Sequence, residues 1–206
     1  MNNPSLRGLY LVTPDWDDTA ALLVRTEAAL AAGAAMLQYR HKRASEALRR
    51  EQAAALLALC WQYQRPFIIN DHIDLCLSLG ADGVHVGGLD VSVAEARAAL
   101  GPALIVGASC YGERERATLA AQDGASYLAY GGFYPSLVKQ YAVTTDVDIV
   151  GWSKASFDLP CVVIGGMTPE KAAPLVERGA DMVAAISSVY GAQEPGAAAR
   201  DFVSLF

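Results

Sequence analysis

The sequence has no basic excess. Its 16 Lys and Arg stand against 22 Asp and Glu, a formal net charge of -6. A chain with that balance offers no broad basic face, which argues against a nucleic-acid partner. A small anionic substrate stays open, because a local basic pocket can sit in an acidic protein. Cysteine is scarce too. Cys60, Cys76, Cys110 and Cys161 show no C-x-x-C spacing and no paired pattern. They read as reduced core thiols in a reducing compartment. His41, His72 and His85 lack zinc-ligand spacing. No apolar run reaches the ~18–20 residues of a membrane helix. Met1 to Tyr10 lacks the basic and apolar regions of a signal peptide. The expected location is the cytoplasm, with no membrane partner.

What is present describes a globular chain. Apolar residues make up 53% and charged residues 18% of the 206. That length suits one well-cored domain over residues 1–206 and is short for two. One phrase recurs along it, as Ala32-Gly33-Ala34, Leu79-Gly80-Ala81, Asp123-Gly124-Ala125 and Arg178-Gly179-Ala180, each followed by a short apolar run. The physical grammar is constant: a helix ends, glycine takes the left-handed position after it, and a strand begins. The repeats lie roughly 50 residues apart, about two βα units of a barrel that holds eight units in ~200–250 residues.

Strands are expected at Gly8–Thr13, Ala35–Tyr39, Phe67–Asn70, Gly83–Val86, Leu104–Ser109, Tyr127–Tyr130, Cys161–Gly165 and Met182–Ser187. All are short and apolar, as strands covered on both faces should be. Ser45–Tyr63 is rich in helix formers, Ser92 to Glu95 reads as a capping box, and Thr168-Pro169 reads as an N-cap followed by Pro. The segment 131–144 shows no clear pattern, and long loops are often functional. An open doubly wound sheet could use the same units. The fourfold repeat favours an α/β single-domain (β/α)8 TIM barrel.

In such a barrel the active site lies at the C-terminal ends of the strands. Gln38-Tyr39-Arg40-His41-Lys42 falls at the end of strand two, and Asn70-Asp71 at the end of strand three. Asp90 follows strand four, Ser109 ends strand five, Ser136 and Lys139 lie in the loop after strand six, Gly165-Gly166 ends strand seven and Ser187-Ser188 ends strand eight. Arg40, Lys42 and Lys139 supply charge for phosphate oxygens. Asp71 and Asp90 would repel each other without a cation between them, and two carboxylates with phosphate oxygens make a shell for Mg²⁺. The turns after strands seven and eight suit a second phosphate. Taken singly, Asp71 could be a helix N-cap, Ser187 a cap, and Arg40 or Lys42 a solvated charge. His85, in mid-strand, reads as a hydrogen-bonded core histidine.

Leu9-Tyr10-Leu11-Val12-Thr13, the Gln38–Lys42 run, Asn70-Asp71, Gly83–Gly87 with Asp90, Ser109, Lys139 and Ile164-Gly165-Gly166-Met167 together resemble the thiamine phosphate synthase family over nearly the whole chain. The resemblance implies a Mg²⁺-dependent transferase. It would join hydroxymethylpyrimidine pyrophosphate to a thiazole phosphate or its carboxylated form. Position by position, it implies that Gln38, Arg40, Lys42, Asn70, Ser109 and Lys139 hold the pyrimidine pyrophosphate, with Tyr39 and His41 in the same binding run. It implies Asp71 and Asp90 as metal ligands. Ser136, Leu137, Val138, Gly166, Ile186 and Ser187 would hold the thiazole phosphate. Arg40, Lys42, Ser109 and Lys139 are the implied catalytic groups.

The chain departs from the family pattern in three places. Gly88-Leu89 precedes Asp90 where Gln-Glu is usual, Gly131-Gly132 stands where Gly-Pro is usual, and Pro135-Ser136-Leu137-Val138-Lys139 stands where Pro-Thr-x-Thr-Lys is usual. Val138 is nearly isosteric with Thr but has no hydroxyl. Three alternatives are a thiazole tautomerase on a similar barrel, a phosphate-binding isomerase, and a non-catalytic binder of the pyrimidine pyrophosphate. The partners expected are small phosphorylated molecules, and a homo-oligomer is compatible with the sequence.

Overall fold

The expected βα units close into a barrel in the computed structural model, which describes residues 6–87, 91–134 and 145–206. The strands are β1 (Gly8–Val12), β2 (Met36–Tyr39), β3 (Phe67–Asn70), β4 (Gly83–Val86), β5 (Ile105–Tyr111), β6 (Tyr127–Gly131), β7 (Cys161–Ile164) and β8 (Met182–Ala185). Each pairs in parallel with its sequence neighbour, and β8 pairs with β1 to close the ring. The helices are α1 (Thr19–Ala31), α2 (Glu46–Tyr63), α3 (Ile73–Leu79), α4 (Val93–Leu100), α5 (Arg114–Gln122), α6 (Asp148–Ser156), α7 (Pro169–Glu177), the short α8 (Ser187–Tyr190) and α9 (Pro195–Val203). The open-sheet alternative is thereby removed.

Local chemistry explains the boundaries. Ser45 caps α2 by accepting from Leu48 N, Ser92 and Glu95 form the reciprocal capping box of α4, and Thr168 caps α7 ahead of Pro169. Each cap satisfies an amide that the helix cannot. The four repeat glycines, Gly33, Gly80, Gly124 and Gly179, all have positive φ, so each turns a helix end into the next strand at no Cβ cost. The strands differ from expectation at their C-terminal ends. Cys161 to Ile164 stops before Gly165, Met182 to Ala185 stops before Ile186, and β5 runs on to Tyr111 through an irregularity between Ser109 and Tyr111. These ends meet the rim, where ladder pairing gives way to loops.

Strand parity divides the core in two. Leu9, Leu11, Leu37, Tyr39, Phe67, Ile69, Val84, Val163 and Val183 face outward into the layer under the helices. Tyr10, Val12, Met36, Ile68, Ile105, Tyr127, Val162 and Met182 fill the lumen. Burying a large apolar side chain of either set stabilises the fold by about 1.5–3 kcal/mol. The same alternation puts Gln38, Asn70, His85 and Ser109 on the lumen side near the strand ends.

All four cysteines are unpaired and buried. Burial raises the Cys60, Cys110 and Cys161 thiols to about 12 and Cys76 to about 11, so at neutral pH they carry no thiolate. A disulfide-exchange dye should therefore titrate none of them in the native protein and all of them in denaturant. Rapid labelling without denaturant would contradict this burial.

Candidate active site

The loop after β1 holds the cationic run after β2 in place. Thr13 Oγ1 accepts from Arg40 N at 2.8 Å and donates to Arg40 O at 3.0 Å. Asp15 Oδ1 accepts from Lys42 N at 3.1 Å and meets Arg40 Nη1 at 3.4 Å. The Arg40 side chain is 11% exposed, so its guanidinium is held against Asp15 rather than free in solvent. His41 is buried, with Nε2 2.9 Å from Asp17 Oδ1. Tyr39 donates to Gln52 Oε1 at 3.0 Å. Tyr39 and His41 thus brace the run from its outer side, and both also line a cavity of about 350 Å³ with Lys42, Arg49, Asn70, Asp71 and His72.

Asp71 has φ 63°. Outside glycine this left-handed conformation is uncommon, though Asp and Asn are the residues that adopt it best. Asp71 does not cap α3. The N-cap is His72, whose side chain makes no capping bond. Instead Asn70 Nδ2 donates to Asp71 Oδ2 at 2.5 Å, and Lys42 Nζ lies 3.5 Å from the same oxygen. A Cβ built on Gly87 would come within 3.9 Å of Oδ1, the other oxygen. The carboxylate thus sits in a left-handed turn, with a cation on one oxygen and the end of β4 beside the other. Oxygen chemistry of this kind fits Mg²⁺. Among the described residues no group of three or more His, Cys, Asp or Glu gathers for a metal.

Ser109 ends the lumen face of β5 and accepts or donates at 2.9 Å with His85 Nε2. The irregularity after it bends the strand end, as bulges beside active sites commonly do. Gly165 and Gly166 both have positive φ, and Gly165 packs against Gly132 N at 3.0 Å for a built Cβ, so only glycine fits this turn. Ile186 is the N-cap of α8 and packs on the lumen cluster, and Ser187 is the first residue of that helix. Ile164 and Ala184 pair across β7 and β8, which sets the Gly166 and Ser187 turns side by side on the rim. Thr145 returns the chain after residue 144 to β6, donating to Gly131 O at 2.5 Å and to Gly132 O at 2.8 Å through its amide. Asp90, Ser136, Leu137, Val138 and Lys139 lie outside the described residues.

Some residues here carry no sequence signal. Arg49, on α2, lines the cavity beside Lys42 and Asp71 and donates to Ala44 O at 2.9 Å, while its Nε is buried without a partner. In the sequence it is one arginine among several on an amphipathic helix. Asp15 looks like an ordinary turn acid until Arg40 is seen beside it.

A parallel barrel whose catalytic rim gathers cations, a strained carboxylate and two tight turns defines a class, the (β/α)8 enzymes with an anion-binding rim. Within that class, the model of the thiamine monophosphate synthase family matches residues 9–189, and the chain belongs to that family. It is 64% identical over 202 residues to the thiamine-phosphate synthase of Janthinobacterium sp. (strain Marseille), covering 98% of each chain. It is 47% identical over 200 residues to the thiamine-phosphate synthase of Xylella fastidiosa (strain 9a5c), covering 97% of this chain and 85% of that one. The solved thiamine phosphate pyrophosphorylase from Pyrococcus furiosus matches with a TM-score of 0.87 at 29% identity, covering 98% of this chain and 96% of that one.

Proposed function

We propose that this protein is a transferase of thiamine biosynthesis. It moves the hydroxymethylpyrimidine group from its pyrophosphate to a thiazole phosphate or its carboxylated form. The C–O bond to pyrophosphate breaks, a C–N bond to the thiazole nitrogen forms, and thiamine phosphate and pyrophosphate leave; from the carboxylated thiazole, the C–C bond to the carboxylate also breaks and CO2 is released. The observation that carries this reading is the Lys42, Asn70 and Asp71 cluster at the joined ends of β2 and β3. A pyrophosphate leaving group needs a cation and a metal carboxylate at one point. A tautomerase or a simple isomerase has no use for that pair.

The residues divide the work. Arg40, Lys42 and Lys139 neutralise the leaving pyrophosphate, Asn70 and Ser109 hydrogen-bond to it, and Gln38 orients the pyrimidine. Asp71 and Asp90 are the residues that would hold Mg²⁺, which when bound adds positive charge where the pyrophosphate departs. Gly166, Ile186 and Ser187 hold the thiazole phosphate with loop residues Ser136, Leu137 and Val138. The buried lumen beneath keeps water from a cationic pyrimidine carbon. The thiazole nitrogen is already nucleophilic, so positioning rather than a base is what the rim supplies. Four unpaired cysteines support a reducing, cytoplasmic setting.

The test is product formation. Purified protein with both substrates and Mg²⁺ should yield material that oxidises to fluorescent thiochrome, and EDTA should abolish it. Binding of the pyrimidine pyrophosphate with no product would instead favour a non-catalytic binder. The departure at Val138 can be tested separately. Val138→Thr should lower KM for the thiazole phosphate severalfold by adding one hydroxyl donor. An unchanged KM would place that side chain away from the phosphate.

A further inference from the structure

The lumen holds one continuous polar chain. Gln38 Nε2 donates to Tyr10 Oη at 2.7 Å, and Tyr10 Oη lies 2.7 Å from Tyr127 Oη. Tyr127 Oη lies 2.9 Å from His85 Nδ1, and His85 Nε2 lies 2.9 Å from Ser109 Oγ. The chain therefore crosses the barrel from β2 to β5. Gln38, Tyr10, Tyr127 and His85 are buried, and Ser109 opens to the rim. Its two ends, Gln38 and Ser109, are the residues assigned above to the pyrimidine and its pyrophosphate.

Counting protons gives the chain a direction. An amide nitrogen only donates, and each phenol or serine hydroxyl has one proton to give. Tyr10 accepts from Gln38, so its own proton goes to Tyr127. The Tyr127 proton then goes to His85 Nδ1. The imidazole must carry its proton on Nε2 and donates it to Ser109 Oγ. The Ser109 proton is left over, and it points to the rim. Were His85 protonated on Nδ1, Tyr127 would accept from two neighbours and its own proton would lack a buried acceptor, which is costly. Burial pushes both phenols upward, so they remain donors.

We infer that Tyr10, Tyr127 and His85 are positioning residues that set this polarity, so that Ser109 offers an O–H donor to the departing pyrophosphate while Gln38 keeps its amide oxygen for the pyrimidine. The inference rests on the transferase reading. The opposite polarity would aim the Ser109 proton inward at His85, and the phosphate would then meet only serine lone pairs. Ser109 itself does not set this choice. The amide of Gln38 does, four hydrogen bonds away.

The test is ¹⁵N NMR of the histidines in the full-length protein, with the His85 signals assigned by their loss in His85→Gln. The expected pattern is a protonated Nε2 and an unprotonated Nδ1. A protonated Nδ1 in the unmodified protein would overturn the inference. Gln38→Glu supplies a carboxylate that only accepts, so it should reverse the chain and move the proton to Nδ1. An unchanged pattern in that variant would also overturn it. Tyr127→Phe keeps the ring but removes the link. It should give mixed His85 tautomers and lower kcat roughly tenfold, with a smaller change in KM. The spectroscopic readout needs no turnover. An Nε2–H pattern in a protein that makes no product would therefore support the polarity and sink the transferase reading.

Discussion

Asp71→Ala should lower activity by roughly a hundredfold or more at limiting Mg²⁺ and by far less at saturating Mg²⁺. The expectation follows from what surrounds the carboxylate. Lys42 and Asn70 both sit on Oδ2, and the end of β4 passes Oδ1. On the proposed reading, Lys42 would still face the pyrophosphate without Asp71, so some leaving-group stabilisation would remain and metal affinity would carry most of the loss. Raising Mg²⁺ should then restore much of the rate. Equal losses at low and high Mg²⁺ would rule out direct ligation. Ala at φ 63° adds backbone strain of about 1–2 kcal/mol. Asp71→Asn is the matched control, because Asn tolerates that conformation while lacking the charge. If Asn behaves like Ala toward Mg²⁺, charge at the rim is the cause and strain is not.

Gly107→Ala should unfold at a lower denaturant concentration, with a loss of about 3 kcal/mol and an unchanged m-value. Gly107 faces the lumen on β5, and a Cβ there would overlap Cζ, Oη and Cε2 of Tyr127. The ring is stacked beside His85 and edge-on to Tyr10, so it has no open space to enter. The side chain most displaced is the one in the middle of the polar chain. Activity at permissive temperature should fall as well. The double variant Gly107→Ala with Tyr127→Ala should cost less than the sum of the two single changes, since each relieves the other. Strict additivity would mean that the two positions do not touch.

The local signals in the sequence were strong because each had a short-range physical cause. A glycine after a helix needs only its own φ, and a capping serine needs only the amide three residues on. The repeat, the caps at Ser45, Ser92 and Thr168, and β3 and β4 are therefore found where they were expected. The resemblance to a family carried the function, and membership of that family bears it out. Asp71 shows the limit of local reading. An Asp before a helix has the composition of a cap, yet its φ and its contact with Lys42 turn it to the rim instead.

His85 was legible as a hydrogen-bonded histidine, but its partners were not. Tyr10 and Tyr127 are 117 residues apart and meet at 2.7 Å. Nothing in either strand announces that meeting, because strands buried on both faces do not reveal which face is the lumen. Arg49 and Asp15 are similar cases, ordinary charges until the ends of β2 and β3 come beside them. The sequence by itself determined the order of elements, the turns between them and the residue types at the strand ends, all set by interactions within a few residues. Ring closure alone decided which side chains share the lumen, what each charge faces at the rim and which way the hydrogen bonds run, because those depend on atoms that only the closed barrel brings together.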